Sequence, residues 1–240
     1  MAFTILTQTT SGSSASTTPS VTLPTGTITA GDTLLALIRL ATGTLGTNPG
    51  GWTELARDTS DASDDTTVVI WKKADGTESG TSITWGTGTS AKYVGLSWAI
   101  AGAADPSVRA PETSTVAVGT VAAVDPTTCT PTGGAKDYLW LWVGAWDGES
   151  ATVPPTGNPT NYGSNIIGNT SGTAGVSTTN VQASSASRLL NAASEDAPSW
   201  TCSSAPSQGW TAWTVAVHPA TIPLAPAPMP LPKRYMMTGR

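Results

Sequence analysis

The chain has 240 residues, only 11% of them charged, and a formal net charge of −5 at pH 7. Its Lys and Arg residues are dispersed, which excludes nucleic acid as the expected partner, because such binding needs a clustered basic surface. No apolar run approaches the ~20 residues of a membrane span, and the N-terminal MAFTILTQTT has no basic leader with an apolar core, so neither membrane insertion nor secretion is expected.

Ten strand-like segments follow in chain order, each an apolar or alternating run between Gly, Pro, Asn and Asp turns. The first half contains five of them, at 31–40, 51–58, 66–74, 82–85 and 93–102. The second half repeats the order, with segments at 136–146, 161–168, 181–190, 198–201 and 209–218. No window has helical spacing with caps, so little helix is expected. The pattern predicts an all-β fold: an antiparallel β-sandwich, jelly-roll-like, built from two related five-strand halves at 31–102 and 136–218.

Alternation within these segments assigns faces. In the first segment one face carries Leu34, Ala36, Ile38 and Leu40, and the other carries Leu35 and Leu37 beside Arg39. The 93–102 segment points Val94, Leu96, Trp98 and Ile100 towards a core. Its opposite face holds Tyr93, Gly95, Ser97 and Ala99, which predicts an outer surface of mostly small residues.

The two ends of the chain differ from the middle. Residues 10–20 are polar and of low complexity, suited to a flexible loop or to a strand at a sheet edge. We assign 1–219 to the sandwich domain and 220–240, which is rich in proline, to an extended C-terminal arm. The alternatives for this arm are a solvated tail and a segment that docks on a neighbouring subunit. Docking is favoured by its apolar, cationic and thioether side chains: Ile222, Leu224, Leu231, Arg234, Tyr235, Met236 and Met237.

One strand carries aromatic rings along a single face, at Tyr138, Trp140, Trp142 and Trp146. Its other face is aliphatic, with Leu139, Leu141, Val143 and Ala145. A strand that is apolar on both faces is buried on both, in a core and at an interface, or exposes a row of rings. Burial is the favoured interpretation and stacking on sugar rings is the alternative. The four rings are the candidate contacts for a glycan or another subunit.

The sequence offers little for catalysis. The one histidine, His218, closes the last strand directly before Pro219, and no serine lies in the strained Gly-x-Ser-x-Gly turn of hydrolases. Asp147 and Glu149 form the one carboxylate pair that suggests glycoside cleavage, but they occupy a polar turn where acids usually face solvent. We therefore predict that the protein is not an enzyme.

Metal and cofactor sites are not expected either. The acidic loop 58–65 could hold a hard cation but lacks the glycine and terminal glutamate of an EF-hand loop. Cys129 and Cys202 are too few for a zinc site, and in a cytoplasmic product they stay thiols unless the fold pairs them. No glycine-rich phosphate loop opens a helix. The prediction is no cofactor and no metal.

Several motifs resemble those of a broad group of tailed-phage virion proteins, which are often described as minor tail or structural proteins. They are the Gly-Asp-x-Leu-Leu-Ala strand, Gly-Gly-Trp-Thr, the Val-x-Trp-Lys-Lys-Ala strand, Ser-x-x-Trp and a looser closing strand. In this chain they lie at 31–36, 50–53, 69–74, 82–85 and 215–220. The resemblance covers about residues 1–220 and leaves the proline-rich arm unassigned.

This resemblance implies a β-sandwich without catalysis, often oligomeric. The expected function is a phage virion structural protein, tail-associated or a decoration protein on the capsid surface, made in the host cytoplasm and carried in the virion. Its expected partners are copies of itself and other virion proteins. The alternative is a carbohydrate-binding module that stacks host-surface glycans on exposed Trp residues.

Overall fold

The structure, a computed structural model, describes residues 3–59, 66–87, 90–147, 155–169, 181–203 and 209–220. In these ranges the chain forms strands and no helix, as the sequence predicts. The strands are β1 (Thr4–Ser16), β2 (Ser20–Thr22), β3 (Thr33–Leu40), β4 (Thr53–Asp58), β5 (Thr67–Lys73), β6 (Ser82–Thr84), β7 (Ala91–Ala101), β8 (Glu112–Thr113), β9 (Ala117–Gly119), β10 (Ala123–Val124), β11 (Lys136–Asp147), β12 (Gly163–Asn169), β13 (Val181–Ala192), β14 (Trp200–Thr201) and β15 (Trp210–Val217).

Two antiparallel sheets make up the sandwich. The first has the order β1-β7-β3-β5-β4, and the second has the order β12-β13-β11-β15-β8, with β9 also pairing with β15. The short pairs β2-β6 and β10-β14 stand outside these sheets. The antiparallel β-sandwich is confirmed. The jelly-roll detail is not, because each main sheet takes its strands from one continuous stretch of chain, whereas a jelly roll exchanges strands between sheets.

The facing sides of the two sheets share one core. Leu35 and Leu37 of β3 contribute to it, together with Val94, Leu96, Trp98 and Ile100 of β7. The second sheet contributes Leu139, Leu141, Val143 and Ala145 of β11 and Trp213, Val215 and Val217 of β15. The β7 face is the one that alternation assigned to a core, because successive side chains of a strand point to opposite sides of its sheet.

Each sheet also buries its outer side, under segments that lie near its own strands in the sequence. The first sheet points Leu34, Ala36, Ile38 and Leu40 into a cluster that Val21, Leu23 and Trp85 complete. The second points its aromatic row into a cluster with Val124, Tyr162 and Trp200. A strand apolar on both faces is thus buried on both within a single chain.

The outer side of β7 corrects one expectation. The sequence predicts an outer surface of small residues there, but Ser97 and Ala99 are buried under β2. A Cβ added at Gly95 would lie 2.4 Å from Val21 Cγ2, and the Ser97 hydroxyl donates to the Thr22 carbonyl at 2.7 Å. The side chains are small because β2 packs directly on the backbone of β7.

Candidate functional site

One end of the sandwich carries a cavity of about 400 Å³ where the chain leaves β7 and β15. The two exits are tied together by backbone hydrogen bonds: Ala104 N donates to the His218 carbonyl at 2.8 Å, and Ala220 N donates to the Gly102 carbonyl at 3.1 Å. These bonds flank an antiparallel bridge between Ala103 and Pro219, which needs no amide hydrogen from the proline, and Pro219 forms a wall of the cavity.

His218 lies at the base of this cavity and is 3% exposed. Its Nε2 lies 2.7 Å from Glu112 Oε1, and its ring packs against Tyr138 in a T-shaped arrangement at a centroid distance of 5.1 Å. Glu112 in turn accepts hydrogen bonds from the Thr132 amide and from the Thr132 hydroxyl, the latter at 2.8 Å. This network fastens the start of β8 to the end of β15 and to the turn before β11.

Burial lowers the pKa of His218 more than the neighbouring Glu112 carboxylate raises it. Burial raises the pKa of Glu112, but hydrogen bonds from Thr132 and His218 outweigh that effect, so its pKa is lowered overall. The pair is therefore a neutral imidazole beside an ionised carboxylate, with the proton on Nε2. Nδ1 is then a bare acceptor, and it is buried without a hydrogen-bond partner among the described residues.

Two cations converge above the turn that precedes β11. Gly133 has φ +117°, and a Cβ built on it would lie 2.8 Å from Lys136 Nζ and 3.0 Å from Arg109 Nη1. Arg109 donates to the Thr132 carbonyl at 3.1 Å. Within the described ranges no carboxylate forms an ion pair with either cation. Glycine here leaves the space in which both cationic groups lie.

The remaining lining of the cavity is apolar except for one acid. Ala104, Val108, Pro219 and Ala220 line it, and Val108 is 79% exposed. Asp105 also lines it, but Lys73 Nζ lies 2.5 Å from its Oδ2, and hydrogen bonds from Lys73 and Ser107 lower the pKa of Asp105 to about 2. The positive charge of Lys73 offsets the negative charge of Asp105, so this acid does not prevent an anion from binding in the cavity.

The aromatic row is buried inside the chain. Tyr138, Trp140, Trp142 and Trp146 are each 0% exposed and belong to the outer core of the second sheet. The rings cannot stack on a sugar or touch another subunit in this conformation, which corrects their assignment as glycan or subunit contacts. Burial, the favoured interpretation of the row, is what the structure shows.

Other predicted residues fall outside the part of the chain that the structure describes. The docking-arm residues do, namely Ile222, Leu224, Leu231, Arg234, Tyr235, Met236 and Met237. So do Glu149 and most of the acidic loop, although Asp58 at its start is described and buried. These assignments stay predictions.

Both cysteines are free thiols. Cys129 and Cys202 lie buried in the outer core of the second sheet, and burial raises the pKa of each thiol to about 12. In the described part of the chain no group of three His, Cys, Asp or Glu side chains could hold a metal ion, and no helix is long and apolar enough to cross a membrane.

Sequence reasoning missed most of the cavity. It singled out His218, but not Glu112, Arg109 or Lys136. Glu112 and His218 are 106 positions apart, Arg109 lies in a loop, and Lys136 is the first residue of β11; none of the three missed residues belongs to a motif. The one sequence signal was the position of His218, between the end of a strand and a proline.

A comparison of the chain with protein-family models, with curated proteins and with solved structures gave no match.

Proposed function

We propose that the protein is a non-catalytic phage virion structural protein, tail-associated or a decoration protein, that assembles as a homo-oligomer. The observation that carries this proposal is one side of the sandwich, where the edge strands of both sheets have no charged residue. β1 lies at the edge of the first sheet and spans 13 residues, none of them charged. An edge strand exposes a row of backbone donors and acceptors, and monomeric proteins usually protect it with charges or proline.

The opposite side of the sandwich makes the contrast clear. There the first sheet ends in β4, which carries Glu54, Arg57 and Asp58, and the second sheet ends in β8 with Glu112. On the side of β1 the second sheet ends in β12, GSNIIGN, which has no charged residue either, and the two strands are in contact. Self-association is therefore expected through the side formed by β1 and β12.

The motifs that resemble phage virion proteins have structural roles here, which fits a scaffold. Gly31 N donates to the Ala74 carbonyl, and Ala74 N donates to the Asp32 carbonyl, both at 2.9 Å, so the first and third motifs bind each other. Gly51 has φ +81° in the turn where Trp52 N donates to Pro49 O, and Trp85 is buried in the outer core of the first sheet.

The first test is sedimentation. The polypeptide should co-sediment with assembled particles from a producing culture through a density gradient and a salt wash. A protein that stays soluble at the top of the gradient would overturn the virion assignment.

The second test addresses the edge. Thr9, exposed on β1, is changed to Lys, and Thr53, exposed on β4, is changed to Lys as the matched control. Analytical ultracentrifugation should show a wild-type oligomer, at least about tenfold weaker association for Thr9→Lys, and no change for Thr53→Lys. A monomeric wild type, or an oligomer weakened by Thr53→Lys and not by Thr9→Lys, would refute assembly through this side.

A further inference from the structure

We propose that the cavity beside His218 binds a small organic carboxylate, with the carboxylate between Arg109 and Lys136 and an apolar body against Val108 and Pro219. The proposal is independent of self-association through β1, because the cavity lies at the end of the strands where the chain leaves β7 and β15, whereas the proposed interface is a sheet edge.

The first argument is the convergence of charge. Two like charges that share the space above Gly133 repel each other, and an anion between them turns that repulsion into two attractions. A carboxylate suits the guanidinium of Arg109, whose planar fork can donate two parallel hydrogen bonds to its oxygens. Because Arg109 already donates to the Thr132 carbonyl, its orientation is partly fixed before a ligand arrives.

The second argument is that the acids around the cavity are already engaged. Asp105 is paired with Lys73, and Glu112 accepts hydrogen bonds from Thr132 and faces His218. Neither acid forms an ion pair with Arg109 or Lys136 in the described part of the chain, and the single charge of Glu112 leaves these two cations in excess. His218 adds no positive charge, since its imidazole is neutral.

The third argument is size and lining. About 400 Å³ is within the range of small-molecule sites and leaves room for a body beyond one carboxylate group. Ala104, Val108, Pro219 and Ala220 offer that body an apolar wall. Burying two further methylene groups on this wall strengthens binding by up to about fifteenfold.

The test is an amide NMR titration of the full chain with four probes: acetate, butyrate, butyramide and inorganic phosphate. We expect saturable shifts at Gly133, Lys136 and Ala220, with butyrate binding several-fold tighter than acetate and butyramide producing no saturable shift. Phosphate binding at least as tight as butyrate binding would overturn the carboxylate assignment, since it would show that charge alone determines binding.

Two variants locate the site. Lys136→Gln should weaken butyrate binding about tenfold or more. The matched control, Lys92→Gln, removes the same charge from the opposite end of β7, where the Lys92 carbonyl accepts a hydrogen bond from Ala41 N, and it should leave binding unchanged. Equal weakening in both variants, or no saturable shift with any probe in the wild type, would overturn the proposal.

Discussion

The outer side of the first sheet is covered mainly by aliphatic side chains, whereas the outer side of the second is covered by tryptophan and tyrosine rings. The first cover centres on Leu34, Ile38 and Val21. The second centres on Trp140, Trp142 and Trp200. Both covers are assembled around a central strand of their sheet, β3 or β11. The comparison shows that the two sheets of one sandwich bury their outer sides with very different side chains.

The regions around the two sheets also differ in how a buried acid is held beside a basic side chain. Lys72 on β5 pairs with the buried Glu78 at 3.0 Å, and Glu78 also accepts backbone hydrogen bonds from Asp75 and Gly76. On β13, Arg188 pairs with the buried Glu195, which also accepts a hydrogen bond from the Tyr162 hydroxyl. The first acid is held mainly by backbone amides and the second by side chains.

The largest effect should come from emptying the aromatic cover. Trp142→Ala should lower the free energy of unfolding by about 3–5 kcal/mol, because it removes a fully buried indole that meets Trp200 edge-on at 5.0 Å. Ile38→Ala, the aliphatic counterpart, should cost less because it leaves a smaller cavity. Urea unfolding measures both. An equal loss for the two variants would mean that the aromatic cover collapses around the cavity. The expected difference in stability between the aromatic and the aliphatic cover would then be refuted.

Replacing the buried acid next to the second sheet should likewise cost more stability than replacing the one next to the first sheet. Glu195→Gln should cost about 3 kcal/mol, because Arg188, whose side chain is 18% exposed, is left with a largely buried and unpaired charge. Glu78→Gln should cost about 1–2 kcal/mol, since Lys72 is 25% exposed and can turn towards water. Urea unfolding at pH 7 tests the order. A larger loss for Glu78→Gln would show that backbone hydrogen bonds matter more than the side-chain network.

The close packing of β2 on β7 predicts a smaller loss of stability for a change under the aliphatic cover of the first sheet. Gly95→Ala should cost about 1–3 kcal/mol, because the new methyl group meets Val21. Val21→Ala in the same chain should return part of that loss, which a double-mutant cycle measures. Gly50→Ala is the control, since a Cβ there has no neighbour within 4 Å and should change stability by less than about 0.5 kcal/mol. Additive losses for Gly95 and Val21 would contradict the contact.

The main sheets were largely predictable from sequence, and their covers were not. All ten strand segments predicted from apolar patterns contain observed strands, because a strand buried on one or both faces leaves a periodic or continuous apolar signal. Strand β1 was not predicted as a definite strand, since its Thr- and Ser-rich sequence has no such signal, and β2, β8, β9 and β10 are too short to show one. The cavity depended on contacts between distant turns, which no local pattern encodes.

The smallest expected effect is a pH dependence of stability that arises at the end of β15 and not at the end of β7. After β15 comes the buried His218, facing Glu112, Tyr138, Arg109 and Lys136, whereas Gly102 after β7 has nothing to titrate. Burial lowers the pKa of His218, so below about pH 6.5 the unfolded chain takes up a proton that the folded chain refuses. Stability should therefore fall as the pH falls from 6.5 towards the folded pKa.

Urea unfolding at pH 7 and pH 5 measures this loss, and His218→Gln should show less of it. The pKa of Glu112 is lowered from 4.5, so its own contribution is lost at more acid pH and does not mimic the effect. An equal pH dependence in the wild type and in His218→Gln would place the titrating group elsewhere. It would also mean that burial beside Glu112, Arg109 and Lys136 leaves the pKa of His218 at its ordinary value.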